Sequence, residues 1–250
     1  MRLTIYIPTV GRPEIADLLE SIPPRHNVEV IVSDNSSLVG GICAQHPHVQ
    51  YERREFNTGI DANLLRGTIS GTGEWVWIIG DDDALLPGAL DLVLDAVLED
   101  AHPLTAGIDR LIVLTPESVD YVPLDSWGPY STGGLIEALQ ADTSLLIAAT
   151  LCTANIFRRH ILDPVRGLEE FDTRYGWLYA ALGAKTTRVL HDPVFHCGYQ
   201  HMQAIPNALT VWQRYLDALC DAAGTRHVSV EDSKRWNFAA LAARAAKVAA

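Results

Sequence analysis

Trp75-Val76-Trp77-Ile78-Ile79-Gly80-Asp81-Asp82-Asp83 is the stretch on which the reading of this 250-residue chain turns. An unbroken run of β-branched and aromatic residues ends on a glycine and then on three carboxylates. A run so short and so continuously apolar predicts a strand buried on both faces. Such strands belong to parallel sheets covered by helices. Toward the N-terminus, Gly71-Thr72-Gly73 ends a helix predicted over 58–70, with Ile60, Leu64, Leu65 and Ile69 on one face. Before it stand a weaker strand at 49–53, a strand at 28–32 and an opening strand at 3–7 that stops at Pro8. Pro13 opens a helix carrying Ile15, Leu18, Leu19 and Ile22, which Pro23-Pro24 stops. Toward the C-terminus a helix is predicted over 87–98. The alternation of strands and helices through the first hundred residues predicts an α/β fold with a mostly parallel central sheet and helices on both faces.

The second half is less regular. A strand is predicted at 111–114, and a long loop or lid at 115–134, rich in Pro, Gly, Ser and aromatics such as Tyr121, Trp127 and Tyr130. Helices follow at 135–150 and 171–182, a strand at 186–190, and two amphipathic helices at 205–223 and 233–249. The expected division is an α/β half at 1–110, a second half of the same domain at 111–204, and a helical extension at 205–250. The last helix is Ala-rich and packs either within the chain or across a homodimer.

Nineteen Lys and Arg stand against 31 Asp and Glu, a formal charge of −12. An acidic chain lacks the counterion-releasing surface of a nucleic-acid binder and gains nothing from an anionic membrane. Any phosphate ligand must be held by a local site, and a bound cation is one way to build it. The four cysteines, Cys43, Cys152, Cys197 and Cys220, form no C-x-x-C pair. They predict a reducing, cytoplasmic setting without a disulfide framework. The apolar opening is broken at Pro8, too early for a secretory signal, and no segment reaches the ~20 apolar residues of a membrane span.

In parallel sheets, ligands bind beyond the carboxyl ends of the strands. Three of the strand ends carry polar clusters: Pro8-Thr9-Val10-Gly11-Arg12, Asp34-Asn35-Ser36-Ser37 and Asp81-Asp82-Asp83. In extended backbone Asp81 and Asp83 would point the same way and Asp82 the other. Two same-side carboxylates suit Mg²⁺ or Mn²⁺, with coordination positions left for diphosphate oxygens. The competing reading is an acidic turn that caps the helix beginning near Pro87.

Four ordered blocks carry a resemblance. They are Ile5-Tyr6-Ile7-Pro8-Thr9-Val10-Gly11-Arg12-Pro13, Val30-Ile31-Val32-Ser33-Asp34-Asn35-Ser36-Ser37, Asn57-Thr58-Gly59-Ile60-Asp61-Ala62-Asn63 and Gly73 through Asp83. In these the chain resembles the family 2 glycosyltransferases of the GT-A fold, a nucleotide-binding α/β/α sandwich. The resemblance implies a nucleoside-diphosphate-sugar donor, a hydroxyl acceptor (small molecule or glycan), a divalent cation (Mg²⁺ or Mn²⁺) and inversion at the anomeric carbon. It places Pro8, Thr9 and Arg12 in the first nucleotide loop and gives Asp34 the reading of base or ribose. It puts Gly59 and Asn63 at the donor, Asp81 in the donor's acidic motif, Asp82 on the ribose side, and makes Asp83 the direct metal ligand. An acceptor-only carboxylate at Asp34 suits an imide N–H or a ribose hydroxyl; an Asx-turn is the other use of that residue.

Inverting transfer needs a carboxylate to take the acceptor's proton. The resemblance implies that a Glu-Asp pair opening a glycine-terminated helix supplies it. In the matching stretch, Glu169 to Trp177 with Gly183 closing the helix, that adjacent pair is absent, and Glu170 and Asp172 flank Phe171 instead. Counting back from Gly183 puts Asp172 on the general-base position, with Glu170 second. A late histidine that completes the metal site in relatives corresponds to His196, with His201 its rival. Two other activities compete. A sugar-phosphate nucleotidyltransferase would need a Gly-rich basic phosphate loop, where this chain has only Gly11 and Arg12. A non-catalytic sugar-nucleotide-binding module would explain the broken Glu-Asp pair.

Overall fold

A computed structural model of the chain describes residues 2–98, 107–116, 130–131, 152–162 and 186–198, with positions 213, 217, 220, 221, 224, 226 and 227. Strands β1 (Leu3–Thr9), β2 (Val28–Asp34), β3 (Val49–Arg53) and β4 (Trp75–Ile78) alternate with helices α1 (Ile15–Ser21), α2 (Gly40–Cys43) and α3 (Gly59–Ile69). After β4 come β5 (Ala84–Leu85), α4 (Ala89–Leu98), β6 (Arg110–Leu114), β7 (Tyr130–Ser131), β8 (Asn155–Arg158), β9 (Thr186–Pro193) and β10 (Phe195–His196). Among the described residues no helix is long and apolar enough to cross a membrane.

Eight strands form one sheet in the order β3-β2-β1-β4-β8-β6-β9-β7. The pairings of β1 with β2, β2 with β3, and β1 with β4 are all parallel. The chain first adds strands on one side of β1 and then crosses back to place β4 on the other. The seam between β1 and β4 is therefore the topological switch point, where the loops leaving adjacent strands diverge and open a crevice. The residues that leave β1 and β4 there are Thr9 to Arg12 and Gly80 to Asp83.

Period-two alternation explains the layers. Leu3, Ile5 and Ile7 of β1, Val30 and Val32 of β2, and Trp75 and Trp77 of β4 face one buried cluster with α1 and α4. Tyr6, Ile31, Val76 and Ile78 face a second cluster with Leu64 of α3, Phe157, Ile161 and Leu162. Burial on both faces accounts for the unbroken apolar reading of β1 and β4.

Strand β8 was not expected from the pattern. It lies antiparallel between β4 and β6, registering Trp75 with Arg158 and Ile112 with Asn155. Its sequence, Asn-Ile-Phe-Arg, carries polar residues where a buried strand should read apolar. Asn155 is fully buried and accepts from Arg110 Nε at 2.8 Å, and the Arg110 guanidinium lies 5.5 Å from the Phe157 ring centroid. A paired polar group tolerates burial that an unpaired one would not.

Candidate functional site

The expectation of an extended Asp81-Asp82-Asp83 is overturned. Asp83 N donates to Gly80 O at 3.1 Å, closing a tight turn over residues 80–83. In a turn the period-two rule no longer holds, so Asp81 and Asp83 take partners from opposite neighbouring strands. The helix-capping alternative also fails for Asp83, whose oxygens are engaged elsewhere while α4 begins only at Ala89.

Asp81 reaches toward β1. Thr9 Oγ1 donates to its Oδ2 at 2.6 Å and Arg12 Nη1 to its Oδ1 at 3.0 Å. Gly11 N in turn donates to Thr9 Oγ1 at 2.9 Å, which tightens the loop. Gly11 has φ +97°, and a Cβ there would stand 2.9 Å from Leu38 Cδ1, so the loop needs glycine on both counts. The same Arg12 nitrogen lies 3.2 Å from Asp82 Oδ2, so one guanidinium bridges two members of the triplet. Burial raises the acid constant of Asp81 above the usual carboxylate range, against the opposing effects of Thr9 and Arg12.

Asp83 turns toward β8 and β10. Thr153 Oγ1 donates to its Oδ2, and Gly198 N donates to its Oδ1 at 2.8 Å. Burial pushes its carboxyl up to about 6 despite these donors. Asp82 keeps 20% of its side-chain surface and is the most open of the three carboxylates, Asp81 and Asp83 being buried. His196 stands on β10, registered against Ala84 of β5, and is exposed at the edge of the same turn. Sequence reasoning missed Thr153 and Gly198. A lone Thr before a polar strand and a lone Gly carry no signal of contact with residues 70 and 115 positions away.

Asp34 ends β2 fully buried. Its Oδ1 accepts from Ser36 N at 2.7 Å, Ser36 Oγ at 2.6 Å and Ser37 N at 3.0 Å; its Oδ2 accepts from Val39 N at 3.2 Å and Tyr51 OH at 2.9 Å. Burial opposes ionisation, but the bonds from Ser36, Tyr51 and Val39 outweigh it and hold the carboxyl below its ordinary range. The Asx-turn use of Asp34 is therefore present. Ser37 sits at φ +68°, a conformation this loop imposes.

Pro8 is buried in β1, registered with Ser33. Gly59 opens α3 with φ +82°, and a methyl group added there would meet nothing within 4 Å, so its backbone face is open. Asn35 Nδ2 donates to Gly59 O at 3.2 Å and to Asn57 Oδ1 at 3.3 Å, joining the β2 loop to the start of α3. Asn63 points inward: Tyr6 OH donates to its Oδ1 at 2.8 Å and its Nδ2 donates to Ser33 O at 3.0 Å. It seats α3 on the sheet from beneath the loops. Asp172, Glu170 and His201 lie outside the described residues.

The donor set of the triplet is all oxygen, the chemistry of a hard cation. The Arg12 guanidinium pairs with Asp81 and Asp82, while Asp83 meets a hydroxyl and an amide instead. No three His, Cys, Asp or Glu side chains among the described residues converge into a closed metal cluster. The oxygen donors present are of the kind that Mg²⁺ or Mn²⁺ takes when a few carboxylates and ligand phosphates share the ion.

Comparisons with known proteins bear on the family and the fold. Residues 4–110 match the model of glycosyl transferase family 2. Over 105 residues the chain is 30% identical to abequosyltransferase RfbV of Salmonella typhimurium, a stretch covering 37% of this chain and 32% of that protein. The match thus spans about a third of that relative's length. Among solved structures, S. aureus TarS 1–349 superposes with a TM-score of 0.61 at 16% identity, over 88% of this chain and 66% of that one. Its complex with UDP-GlcNAc gives 0.60 at 16%, over 93% and 69%. Mannosyltransferase PcManGT from Pyrobaculum calidifontis, in complex with GDP-Man and Mn²⁺, gives 0.53 at 17%, over 99% and 80%. At such identities the likeness is one of fold, and the fold is GT-A.

Proposed function

We propose, on the match of residues 4–110 to glycosyl transferase family 2, that the chain transfers a sugar, with inversion, from a nucleoside-diphosphate sugar to a hydroxyl acceptor. The observation that carries this reading is the seam between β1 and β4, where Thr9 and Arg12 bind the aspartate turn at the mouth of the crevice. A diphosphate laid along that seam meets the Arg12 guanidinium and the open acidic turn together.

The β2 loop, held in shape by Asp34, and the open backbone at Gly59 flank the place for the nucleoside. Val10, Leu38 and Phe56 are 44%, 73% and 69% exposed on the loops that leave β1, β2 and β3. Apolar surface at that edge suits the flat face of a base. Asp82 and Asp83 are the residues to hold Mg²⁺ or Mn²⁺, with His196 or His201 beside them. Bound there, the ion supplies neutralisation of the charge that builds on the departing diphosphate. Asp172, with Glu170 second, takes the acceptor's proton as its oxygen attacks the anomeric carbon.

The test is a panel of UDP-, GDP- and TDP-sugars incubated with the protein and Mn²⁺, reading free nucleoside diphosphate. The expected result is release from one donor class, lost in Asp83→Ala and reduced at least a hundredfold in Asp172→Asn. Pyrophosphate from NTP and sugar phosphate would replace this reading with nucleotidyl transfer. Nucleotide binding without turnover, unchanged in Asp172→Asn, would leave a binding module. Metal and nucleotide binding intact in Asp83→Ala would refute the site itself.

A further inference from the structure

Asp83 is joined to parts of the chain remote in sequence, and one of these joints is directional. Gly80 N donates to Thr153 Oγ1 at 2.9 Å, and the same hydroxyl lies against Asp83 Oδ2. A hydroxyl has one proton to give and lone pairs to receive. With a lone pair of Thr153 occupied by the Gly80 amide, its proton is directed to the carboxylate. Thr153 is itself held: Trp77 Nε1 donates to its carbonyl at 2.7 Å, the neighbouring Cys152 Sγ donates to Ile78 O at 3.3 Å, and the residue is 3% exposed. Gly198 N occupies the other oxygen of Asp83 at 2.8 Å. The carboxylate is thus gripped at both oxygens and cannot swing about its Cβ–Cγ bond without losing a buried bond.

We infer that Thr153 is the positioning residue of the cation site, fixing the Asp83 carboxylate so that its remaining lone pairs face the crevice. This rests on the metal reading of the triplet given above. Thr153 touches neither ion nor donor; it acts through Asp83. A ligating carboxylate left free to rotate loses affinity because each binding event must first order it. Partners that orient metal ligands carry about 10–100-fold in metal affinity. Valine at 153 keeps the shape and removes the proton; serine keeps the proton and removes a methyl.

Mn²⁺ alone is titrated into the full chain, and the free ion is read by its paramagnetic resonance signal. Wild type and Thr153→Ser are expected to bind within about threefold of each other. Thr153→Val is expected to bind about 10–100-fold more weakly at an unchanged circular dichroism spectrum. Should Thr153→Val not fold, Thr153→Cys takes its place, with a weaker S–H donor and an expected intermediate loss. Wild-type Mn²⁺ affinity in the folded Val or Cys variant overturns the positioning role while leaving the metal site standing. Mn²⁺ uptake that survives Asp82→Ala/Asp83→Ala, or no uptake by wild type, overturns the metal reading and this inference with it.

Discussion

Replacing Asp34 with alanine separates two uses of one carboxylate, holding a loop and reading a nucleotide. The side chain accepts five bonds, and their surroundings differ. Ser36 and Ser37 lie near solvent, so water replaces Asp34 on their amides and hydroxyl at small cost. Val39 N is buried and Tyr51 OH partly so, and each is left without its acceptor. An orphaned buried donor costs about 1–3 kcal/mol. Two of these, with a small loss at the exposed bonds, give about 3 kcal/mol of lost stability. For a chain of this size that corresponds to a fall in Tm of about 6–12 °C. The sign with pH is fixed as well. The Asp34 carboxyl is held below its ordinary range, so its contribution is present above the unfolded value near 3.8 and fades as pH falls through the folded one. Urea unfolding followed by tryptophan fluorescence at pH 7 and pH 3 should show the gap between wild type and Asp34→Ala at the first pH and its narrowing at the second. If Asp34→Ala unfolds within 0.5 kcal/mol of wild type and yet loses nucleotide affinity, the carboxylate reads the ligand directly and the loop-holding account is wrong.

Other outcomes follow from the same geometry. In metal-free protein, Asp83 titrates at about 6 against an unfolded 3.8, a gap of about 3 kcal/mol, so the folded state binds the proton more tightly. That stabilisation is fully present below 3.8 and lost as pH rises through 6. Wild type should melt higher at pH 5 than at pH 7, and Asp83→Asn should show a smaller difference, the part left coming from Asp81, which burial raises in the same direction. Gly198→Ala places a methyl 2.6 Å from Asp82 Cγ, so the 197–198 segment must shift; Mn²⁺ affinity measured by titration should drop at least tenfold. Gly67→Ala sets a methyl 2.7 Å from Tyr6 Cδ1 and 2.8 Å from Ile78 Cδ1, overpacking the seat of α3 by about 1–3 kcal/mol in urea unfolding. Arg12→Met should change stability by under about 1 kcal/mol, because its ion pairs are part-exposed, and should weaken UDP binding by about tenfold in calorimetry.

The first hundred residues were legible because their physics is local. Continuous apolar strands buried on both faces, helices with one apolar stripe, and proline or glycine stops gave β1, β2, β3, β4, α1, α3 and α4 close to their observed bounds. The polar clusters at strand ends were equally legible, and β1, β2 and β4 carry them to one edge. Short elements were not. Strand β8 hides behind buried Asn155 and half-buried Arg158, whose partners Arg110 and Trp75 come from elsewhere in the chain. The two-residue strands β5 and β10 exist only as each other's partner. Single residues with dual chemistry also read ambiguously: nothing in the sequence says that Asn63 turns inward to Tyr6, or that Asp34 spends its acceptors on its own loop.

The aspartate triplet shows why motif recognition and side-chain geometry are separate questions. Three consecutive carboxylates announce a charged site wherever they end a buried strand, and composition alone supports that. Which of them faces a ligand depends on what lies to either side of β4 in the sheet. Thr9 and Arg12 on the β1 side draw Asp81, and Thr153 with Gly198 on the far side draws Asp83. Because β4 sits between a parallel neighbour and an antiparallel one, the partners arrive from loops that no spacing rule connects. The tight turn at Gly80 lets the two outer carboxylates diverge and leaves Asp82 at the opening. A different strand in place of β8 would have left the same three letters with a different division of labour.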